Sequence, residues 1–219
     1  MTKTALIAGG SRGIGAATAD MLRARGWTVV APTRKQLDLD IFGLVRYFAS
    51  ARNLSPLDLP LDALILCAGE WFSASLEKIS DGDYLRQFRV FLAHENLMRA
   101  FLSRLEEAHG CVVAVASTRA FIGGVECAPY AVAKAGLVAL MQGFAREYDG
   151  GVRFNVVAPG LTDTALGAQV IATGGAKPDA VPQPAEVVAA EIVRLIESQD
   201  NGRVMRVVDG VATEAKWNW

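Results

Sequence analysis

Tyr130 and Lys134 stand four positions apart in the segment Tyr-Ala-Val-Ala-Lys, and Ser117 precedes the tyrosine by thirteen positions. Side chains at positions i and i+4 share one face of a helix, so the phenol and the ammonium group are predicted to lie one turn apart. A nearby cation stabilises a phenolate and lowers the pKa of a tyrosine from its usual value of about 10. The spacing predicts a proton-transfer group, although the same pair also arises by chance in amphipathic helices.

A glycine-rich turn follows the first apolar run of the chain. Residues 4–8 have the composition of a short buried strand, and residues 16–22 have the apolar spacing of a helix. Glycines between a strand and a helix allow a tight bend and a close approach of the backbone to a pyrophosphate, while the helix N-terminus offers N–H donors to the anion. The turn that predicts such a site comprises Gly9, Gly10, Ser11, Arg12, Gly13, Ile14 and Gly15.

These features together resemble the short-chain dehydrogenase/reductase family, in which a Gly-x-x-x-Gly-x-Gly turn, an Asn-Ala-Gly-like segment, a serine and Tyr-x-x-x-Lys occur in this order. The resemblance covers nearly the whole chain, and it implies an NAD(P)-dependent oxidoreductase with a Rossmann-like fold. The matching motifs are residues 9–15, Cys67-Ala68-Gly69, Ser117, Tyr130 with Lys134, Pro159-Gly160 and Val208-Asp209-Gly210.

Strand-like apolar runs alternate with helical segments along the chain. Strands are predicted at residues 5–8, 28–31, 63–67, 112–116, 153–158 and 204–208. This alternation is typical of a parallel sheet with helices on both faces, so the predicted fold is one α/β domain with a doubly wound sheet. Ligands bind beyond the carboxyl ends of such strands, and the motifs are therefore expected to meet in one crevice.

The second crossover of the predicted sheet is shorter than is usual in the family. Residues 33–40 leave no room for a full helix, so the third strand is expected to be vestigial, at residues 36–39, with a helix at 41–51 after it. Further helices are predicted at 83–105 and from Tyr130 to about residue 148. In relatives these two helices form a subunit interface, so the resemblance implies a homo-oligomer, either a dimer or a tetramer.

Residues 165–184 are rich in Gly, Ala and Pro and show little periodicity. We interpret them as a short mobile lid over the substrate. Apolar residues at Phe121, Ile122, Val125 and Leu166 favour a modestly hydrophobic substrate, with simple loop packing as the alternative interpretation.

The residues after the second strand bear on the choice of cofactor. An acidic residue there pairs with the ribose hydroxyls of NAD, whereas basic residues accept the additional phosphate of NADP. The chain carries Thr33, Arg34 and Lys35 at this point, and Arg12 adds a cation within the glycine turn. NADP(H) is therefore expected in preference to NAD(H), unless these are ordinary surface cations. The other cofactor contacts that the resemblance implies are Asp38, Leu39, Cys67, Ala68, Gly69, Tyr130, Lys134, Pro159, Gly160, Thr162 and Thr164.

The resemblance also implies the roles of the catalytic residues. Tyr130 is the general acid in carbonyl reduction and the base in alcohol oxidation, Ser117 hydrogen-bonds the same oxygen, and Lys134 lowers the pKa of the tyrosine and binds the nicotinamide ribose. One departure is the asparagine that the family carries about 26 residues before the serine. Phe91 stands there, and Asn96 is the nearest substitute.

Two alternative functions remain open from the sequence. The lost asparagine is compatible with a non-catalytic NADP(H)-binding sensor or scaffold. The shortened crossover is reminiscent of a sugar-nucleotide reductase or epimerase, although such enzymes usually carry an added substrate domain.

Composition limits the class of partner. The chain has 219 residues, 52% of them hydrophobic, which suffices for one substantial core. Its formal net charge is -1 and its Lys and Arg residues are dispersed, so we expect a small-molecule substrate and neither a nucleic acid nor a membrane partner. The sequence shows neither an apolar run of roughly 18 residues nor a signal peptide, and we expect a cytoplasmic protein.

The cysteines and histidines show no metal-ligand spacing, so no metal site is predicted. Cys67 and Cys111 are expected to be small core residues, and Cys127 either packs in the core or lines the substrate site. His94 and His109 are interpreted as packed or solvated side chains.

Overall fold

The computed structural model describes residues 2–33, 60–177 and 179–215, and these residues form a seven-stranded sheet flanked by helices. The strand order is β2-β1-β3-β4-β5-β6-β7, with β7 antiparallel to β6 and all other neighbours parallel. The strands are β1 (Thr4–Ala8), β2 (Thr28–Val30), β3 (Ala63–Leu66), β4 (Cys111–Val115), β5 (Arg153–Pro159), β6 (Val204–Val208) and β7 (Val211–Glu214).

Six α-helices lie in the described part of the chain. They are α1 (Gly13–Ala24), α2 (Asp81–Ala108), α3 (Arg119–Ile122), α4 (Ala128–Glu147), α5 (Ala165–Ala172) and α6 (Ala185–Glu197), and a short 3₁₀ helix spans Leu76–Lys78. At the start of α2, the backbone N–H of Ser80 donates to the Asp83 carboxylate at 2.9 Å, which satisfies a group that the helix leaves unpaired. Pro129 lies in the first turn of α4, where the missing N–H of proline costs nothing.

The core lies on both faces of the sheet, because successive side chains of each buried strand point to opposite faces. In β3, Leu64 and Leu66 pack with apolar residues of α2 and α4, whereas Ala63 and Ile65 pack with those of α1 and α6. Both faces of the central strands are therefore buried, and this explains their continuous apolar sequence. The prediction of a doubly wound α/β sheet is confirmed.

The order of the strands reverses at β1. This strand has β2 on one side and β3 on the other, so the chain winds in opposite directions from it. The glycine turn follows β1 directly, and Cys67 follows β3. A crevice opens at such a reversal, beyond the carboxyl ends of the strands.

The six strands predicted within the described residues are present, and their bounds differ from the predicted ones by at most one residue at either end. The seventh strand was missed. Asp209 and Gly210, with φ of +50° and +80°, form the tight turn into β7, and Asp-Gly favours this turn conformation. The predicted strand at 36–39 and helix at 41–51 lie outside the described residues. Within the described ranges, no helix is long and apolar enough to cross a membrane.

Candidate active site

The predicted catalytic side chains converge at the carboxyl end of β4. Ser117 lies two residues beyond this strand, and Tyr130 and Lys134 lie one turn apart on α4. Ser117, Tyr130 and Lys134 are all buried, with exposed fractions of 8%, 5% and 8%. The hydroxyl of Ser117 lies close enough to that of Tyr130 to influence its pKa. The fold therefore brings a serine hydroxyl and a phenol to one point beside a lysine.

Burial raises the pKa of Tyr130 to about 12. The hydroxyl of Ser117 and the charge of Arg119 favour the phenolate, but their combined effect is smaller than that of desolvation. The ammonium nitrogen of Lys134 lies 5.9 Å from the centre of the tyrosine ring. The prediction that Lys134 lowers this pKa below its usual value is wrong for this geometry, and the phenol is protonated at neutral pH.

Lys134 is anchored to the backbone of β4. Its ammonium group donates a hydrogen bond to the carbonyl oxygen of Val115 at 2.8 Å. Burial lowers the pKa of Lys134 to about 8, with the Cys67 thiol acting in the opposite direction. An ammonium group carries three donors, so two can serve groups other than Val115.

The glycine turn packs closely against two later segments. A Cβ atom at Gly15 would lie 2.3 Å from the carbonyl oxygen of Gly9, and one at Gly9 would lie 2.7 Å from the amide nitrogen of Ala68. Gly13 has a φ of +55°, and a Cβ there would lie 2.9 Å from the Thr164 methyl group. Glycine is therefore required at all three positions for the backbone to take this path.

The N-terminus of α1 faces the same cleft. Arg12 precedes the helix in an extended conformation, and its side chain makes no capping hydrogen bond. The uncapped backbone N–H groups and the helix dipole favour an anion at this point. Arg12 is exposed and lines the cleft, so its guanidinium adds a positive charge beside these donors.

A cleft of about 790 Å³ connects these groups. Its volume lies within the range of small-molecule sites, roughly 300–1,000 Å³. The predicted site residues that line it are Gly9, Ser11, Arg12, Gly13, Ile14, Gly15, Cys67, Ala68, Gly69, Ser117, Tyr130, Lys134, Pro159, Gly160, Thr162 and Thr164. Thr33 is exposed after β2. Arg34, Asp38 and Leu39 lie outside the described residues.

The predicted lid, residues 165–184, contains α5. Two side chains from outside the lid, neither of them a predicted site residue, form hydrogen bonds to it. The indole N–H of Trp71 donates to the hydroxyl of Thr173 at 2.8 Å, and Arg119 donates to the carbonyl oxygen of Gly175 at 2.5 Å. Trp71 also packs edge-on against Tyr130, with ring centroids 5.0 Å apart. These hydrogen bonds join residues 102 and 56 positions apart, so no local pattern signals them.

Gln183, also missed, fixes the far end of the lid. Its backbone N–H donates to the carbonyl oxygen of Leu161, and its carbonyl oxygen accepts from the N–H of Asp163. Its side-chain amide donates to the carbonyl oxygen of Val207 at 2.8 Å and accepts from the N–H of Gly210 at 3.1 Å. The lid is therefore tied at its base to the segment that follows β5, to β6 and to the turn after β6.

Phe91, at the position of the family asparagine, lines a second and much smaller cavity with Gln87, His94 and Lys134. The interpretation of His94 as a packed side chain is confirmed, since it is 1% exposed. Among the residues that the structure describes, both ring nitrogens of His94 and the side-chain nitrogen of Gln87 lack a hydrogen-bond partner. His109 is exposed at the end of α2.

The three cysteines occupy different environments. Cys111 is buried in the core as predicted, whereas Cys67 is half-buried and lines the cleft. Cys127 is buried beside Trp71 and Tyr130 in a small apolar cluster. Across the described residues, no three potential ligands group together to hold a metal ion.

The strand order reverses at the glycine turn, and a serine, a tyrosine and a lysine lie beyond β4 in the same cleft. This arrangement is typical of nucleotide-binding oxidoreductases. Residues 49–174 match the short chain dehydrogenase family, and the chain belongs to this family.

Individual relatives are similar over most of the chain. The chain is 29% identical over 184 residues to 3-oxoacyl-(acyl-carrier-protein) reductase FabG of Escherichia coli strain K12. The aligned region covers 74% of this chain and 74% of the relative. It is 33% identical over 161 residues to subunit BbsD of a hydroxy(phenyl)methylsuccinyl-CoA dehydrogenase from Thauera aromatica, covering 68% of this chain and 59% of the relative.

Solved structures show the same fold. ElxO, solved with NADP bound, matches 96% of this chain and 98% of its own with a TM-score of 0.84 at 22% identity. Levodione reductase matches 94% of this chain and 95% of its own with a TM-score of 0.83 at 22% identity.

Proposed function

We propose that the protein is an NADP(H)-dependent oxidoreductase that interconverts a carbonyl group and an alcohol on a small, modestly hydrophobic molecule. The observation that carries the proposal is that Ser117, Tyr130 and Lys134 line the same cleft as the glycine turn. The nicotinamide supplies or accepts the hydride when it is bound. The residues of the chain orient the substrate oxygen and transfer its proton.

Tyr130 is the proton donor in the direction of carbonyl reduction. Its pKa of about 12 keeps the phenol protonated at neutral pH. Because an alkoxide is more basic than a phenolate, the proton passes readily to the oxygen that hydride transfer creates. The hydroxyl of Ser117 hydrogen-bonds the same oxygen. Lys134, which has two donors besides the one given to Val115, would bind the nicotinamide ribose.

The glycine turn and α1 fit a dinucleotide. Three glycines leave a cradle that a Cβ atom would fill, and the uncapped N-terminus of α1 provides donors to a pyrophosphate. The preference for NADP(H) rests on Arg12 and on Arg34 and Lys35. The NADP bound to ElxO supports the same choice.

The walls near Tyr130 are apolar. Trp71 packs with Tyr130, Leu166 and Val170 in one cluster, and Ile122, 66% exposed, lines the same cleft. An apolar substituent next to the carbonyl group would bury surface against these side chains. We therefore assign the substrate to small ketones or aldehydes that carry a modest apolar group.

A panel of such ketones and aldehydes, incubated with NADPH or NADH, tests the proposal through the absorbance of the reduced nicotinamide. We expect turnover with NADPH that exceeds turnover with NADH and that falls sharply in Ser117→Ala. Cofactor binding without turnover on the whole panel would reject the proposal in favour of a sensor.

The cofactor preference is tested separately by calorimetric titration with NADPH and NADH. Arg34→Ala is expected to weaken NADPH binding and to leave NADH binding unchanged, since only NADPH carries the extra phosphate. Arg146→Ala, at an exposed position of α4, serves as the control and should change neither. Equal losses for both cofactors in Arg34→Ala would contradict a phosphate site.

We also propose that copies of the chain associate through α2 and α4. Leu85 and Leu92 on α2 and Val132 on α4 are 60%, 40% and 47% exposed. Light scattering should give the mass of a dimer or tetramer, and a monomer would contradict this assignment.

A further inference from the structure

Arg119 carries a positive charge at the end of the cleft that holds Tyr130. It begins α3, two residues beyond Ser117, and it lines the cleft. Its charge acts on the phenol of Tyr130 and on the thiol of Cys127, and its guanidinium donates to the carbonyl oxygen of Gly175 in the lid. The guanidinium therefore lies between the phenol and the lid, where a substrate would bind.

Within the part of the chain that the structure describes, Arg119 forms no ion pair with a carboxylate. Two described carboxylates line the cleft, those of Glu70 and Asp209. Glu70 forms an ion pair with Arg86, and Asp209 is exposed in the turn into β7. Because Arg119 is partly buried, bulk water screens its charge only in part. Such a cation favours an anion from outside the chain.

The guanidinium is held in one orientation and keeps donors for a ligand. It donates to the carbonyl oxygens of Gly123 at 3.2 Å and Gly175 at 2.5 Å. A guanidinium carries five N–H donors, so three are left beyond these two hydrogen bonds. The planar fork of an arginine matches two oxygens of a carboxylate or a phosphate. Since the side chain is already ordered, little rotamer entropy is lost when an anion binds.

The anion and the reacting carbonyl group would bind close together. The backbone N–H of Arg119 donates to the hydroxyl oxygen of Ser117 at 3.2 Å, so the proton of this hydroxyl remains available to the substrate oxygen. Ser117 and Arg119 are two positions apart along the chain, which keeps their backbones near each other. A substrate of a few carbon atoms can therefore reach both side chains.

We propose that Arg119 binds an anionic group of the substrate, and that the substrate is a short oxo acid or the corresponding hydroxy acid. The proposal deepens the proposed function and rests on it for the reaction. In reduction, the carbonyl carbon accepts the hydride of the reduced nicotinamide, which becomes oxidised, and the carbonyl oxygen accepts the proton of Tyr130. The anionic group is unchanged. It is a carboxylate in an oxo acid, and a phosphate monoester presents the same chemistry to the guanidinium.

Pairs of an oxo acid and its methyl ester test the anion site, because only the acid is charged at neutral pH. Acetoacetate and levulinate are compared with their methyl esters through kcat/KM with NADPH. We expect the wild type to prefer the acids. Arg119→Gln should lower kcat/KM for the acids by roughly tenfold to a hundredfold. The esters should change little, because glutamine keeps an N–H donor for the lid.

Two further variants separate charge from structure. Arg119→Lys keeps the charge but not the planar fork, so it should retain part of the preference for the acids. Arg146→Gln makes the same change in net charge at an exposed position of α4 and should alter neither substrate class. If Arg119 only holds the lid, its variants should change acids and esters by the same factor, and this result would overturn the proposal. A wild type without a preference for the acids would also overturn it, even if Arg119→Gln does not fold.

Binding of anions that have no carbonyl group separates the anion site from the reaction. Butanoate and propyl phosphate are titrated by nuclear magnetic resonance against the full chain in the presence of NADPH. We expect binding that Arg119→Gln weakens by about tenfold or more, and tighter binding of propyl phosphate would identify the anionic group as a phosphate. Binding that depends on Arg119, without turnover of any acid or ester, would reject the reaction and support the anion site. Turnover of acids and esters alike, without such binding, would support the reaction and overturn the anion site.

Discussion

The glycine turn and the lid both line the cleft, but different forces hold them in place. Close contacts between backbone segments fix the turn, since neither Gly15 nor Gly9 has room for a Cβ atom. The lid is fixed by side chains that reach it from elsewhere, with Trp71 bound to Thr173 and Arg119 bound to Gly175. A backbone contact of this kind cannot relax, whereas a side-chain contact can break and form again.

We propose that this difference suits the two regions to different tasks. A rigid turn holds the anionic part of a cofactor at constant geometry, and the low mobility of its backbone reduces the entropy lost on binding. A lid held by a few hydrogen bonds can open to admit substrate and close to exclude water. We therefore expect substitutions in the turn to affect folding and cofactor binding, and substitutions at the lid to affect opening.

Gly15→Ala should have the largest effect on the stability of the whole fold, because the other two substitutions act mainly on local opening of the lid. The new methyl group would meet the carbonyl oxygen of Gly9, so the turn must move, and overpacking of this kind costs about 1–3 kcal/mol of the free energy of unfolding. Denaturant unfolding and calorimetric titration with NADPH should both register the loss. Gly143→Ala is the matched control, because a Cβ at this exposed helical position meets nothing within 4 Å. The free energy of unfolding of the control should rise by about 0.5–1 kcal/mol. If both variants changed in stability and in NADPH binding to the same extent, the turn would not differ from an ordinary helical position.

Arg119→Ala should release the lid. The side chain donates to the carbonyl oxygens of Gly123 and Gly175, and hydrogen bonds from a charged group contribute about 1.5–3 kcal/mol. Hydrogen exchange should accelerate at the N–H of Gly175, which bonds to the carbonyl oxygen of Val170 at 2.8 Å. Exchange in β1 should stay the same. Unchanged protection at Gly175 would show that Arg119 does not hold the lid.

Trp71→Phe should have the smallest effect. Phenylalanine retains an aromatic ring beside Tyr130 but loses the donor to Thr173, a loss of about 0.5–1.5 kcal/mol. Thr173→Val removes the other partner, and the double variant should lose no more than either single variant if the two groups act on each other. Lid opening is measured by hydrogen exchange. If the effects of the two single substitutions simply add in the double variant, the two side chains do not act on each other, and the role given to this hydrogen bond is contradicted.

The sequence is most informative where local chemistry restricts the choice of residue. Only glycine fits the turn at Gly9, Gly13 and Gly15, and buried parallel strands require continuous apolar runs, so these features were predictable. The turn into β7 was also encoded locally, by Asp209 and Gly210, but was interpreted only as part of a family motif.

Other features depend on residues that are distant in the chain. The partners of Trp71 and Arg119 lie far along the sequence, and nothing near His94 indicates that α4 buries it beside Lys134. The pKa of Tyr130 was mispredicted for a related reason. Helical spacing places the lysine on the correct face, but the depth of burial, which dominates this pKa, is a property of the whole fold.

The turnover of Tyr130→Phe tests the central claim most directly. The substitution keeps the ring and removes only the hydroxyl, the group proposed as the proton donor. With NADPH and a carbonyl substrate of the wild type, kcat should fall by about 10²- to 10⁴-fold, because the general acid is lost, while the Kd for NADPH should not change. A variant that turns over at the wild-type rate would contradict the assignment of Tyr130 as the proton donor.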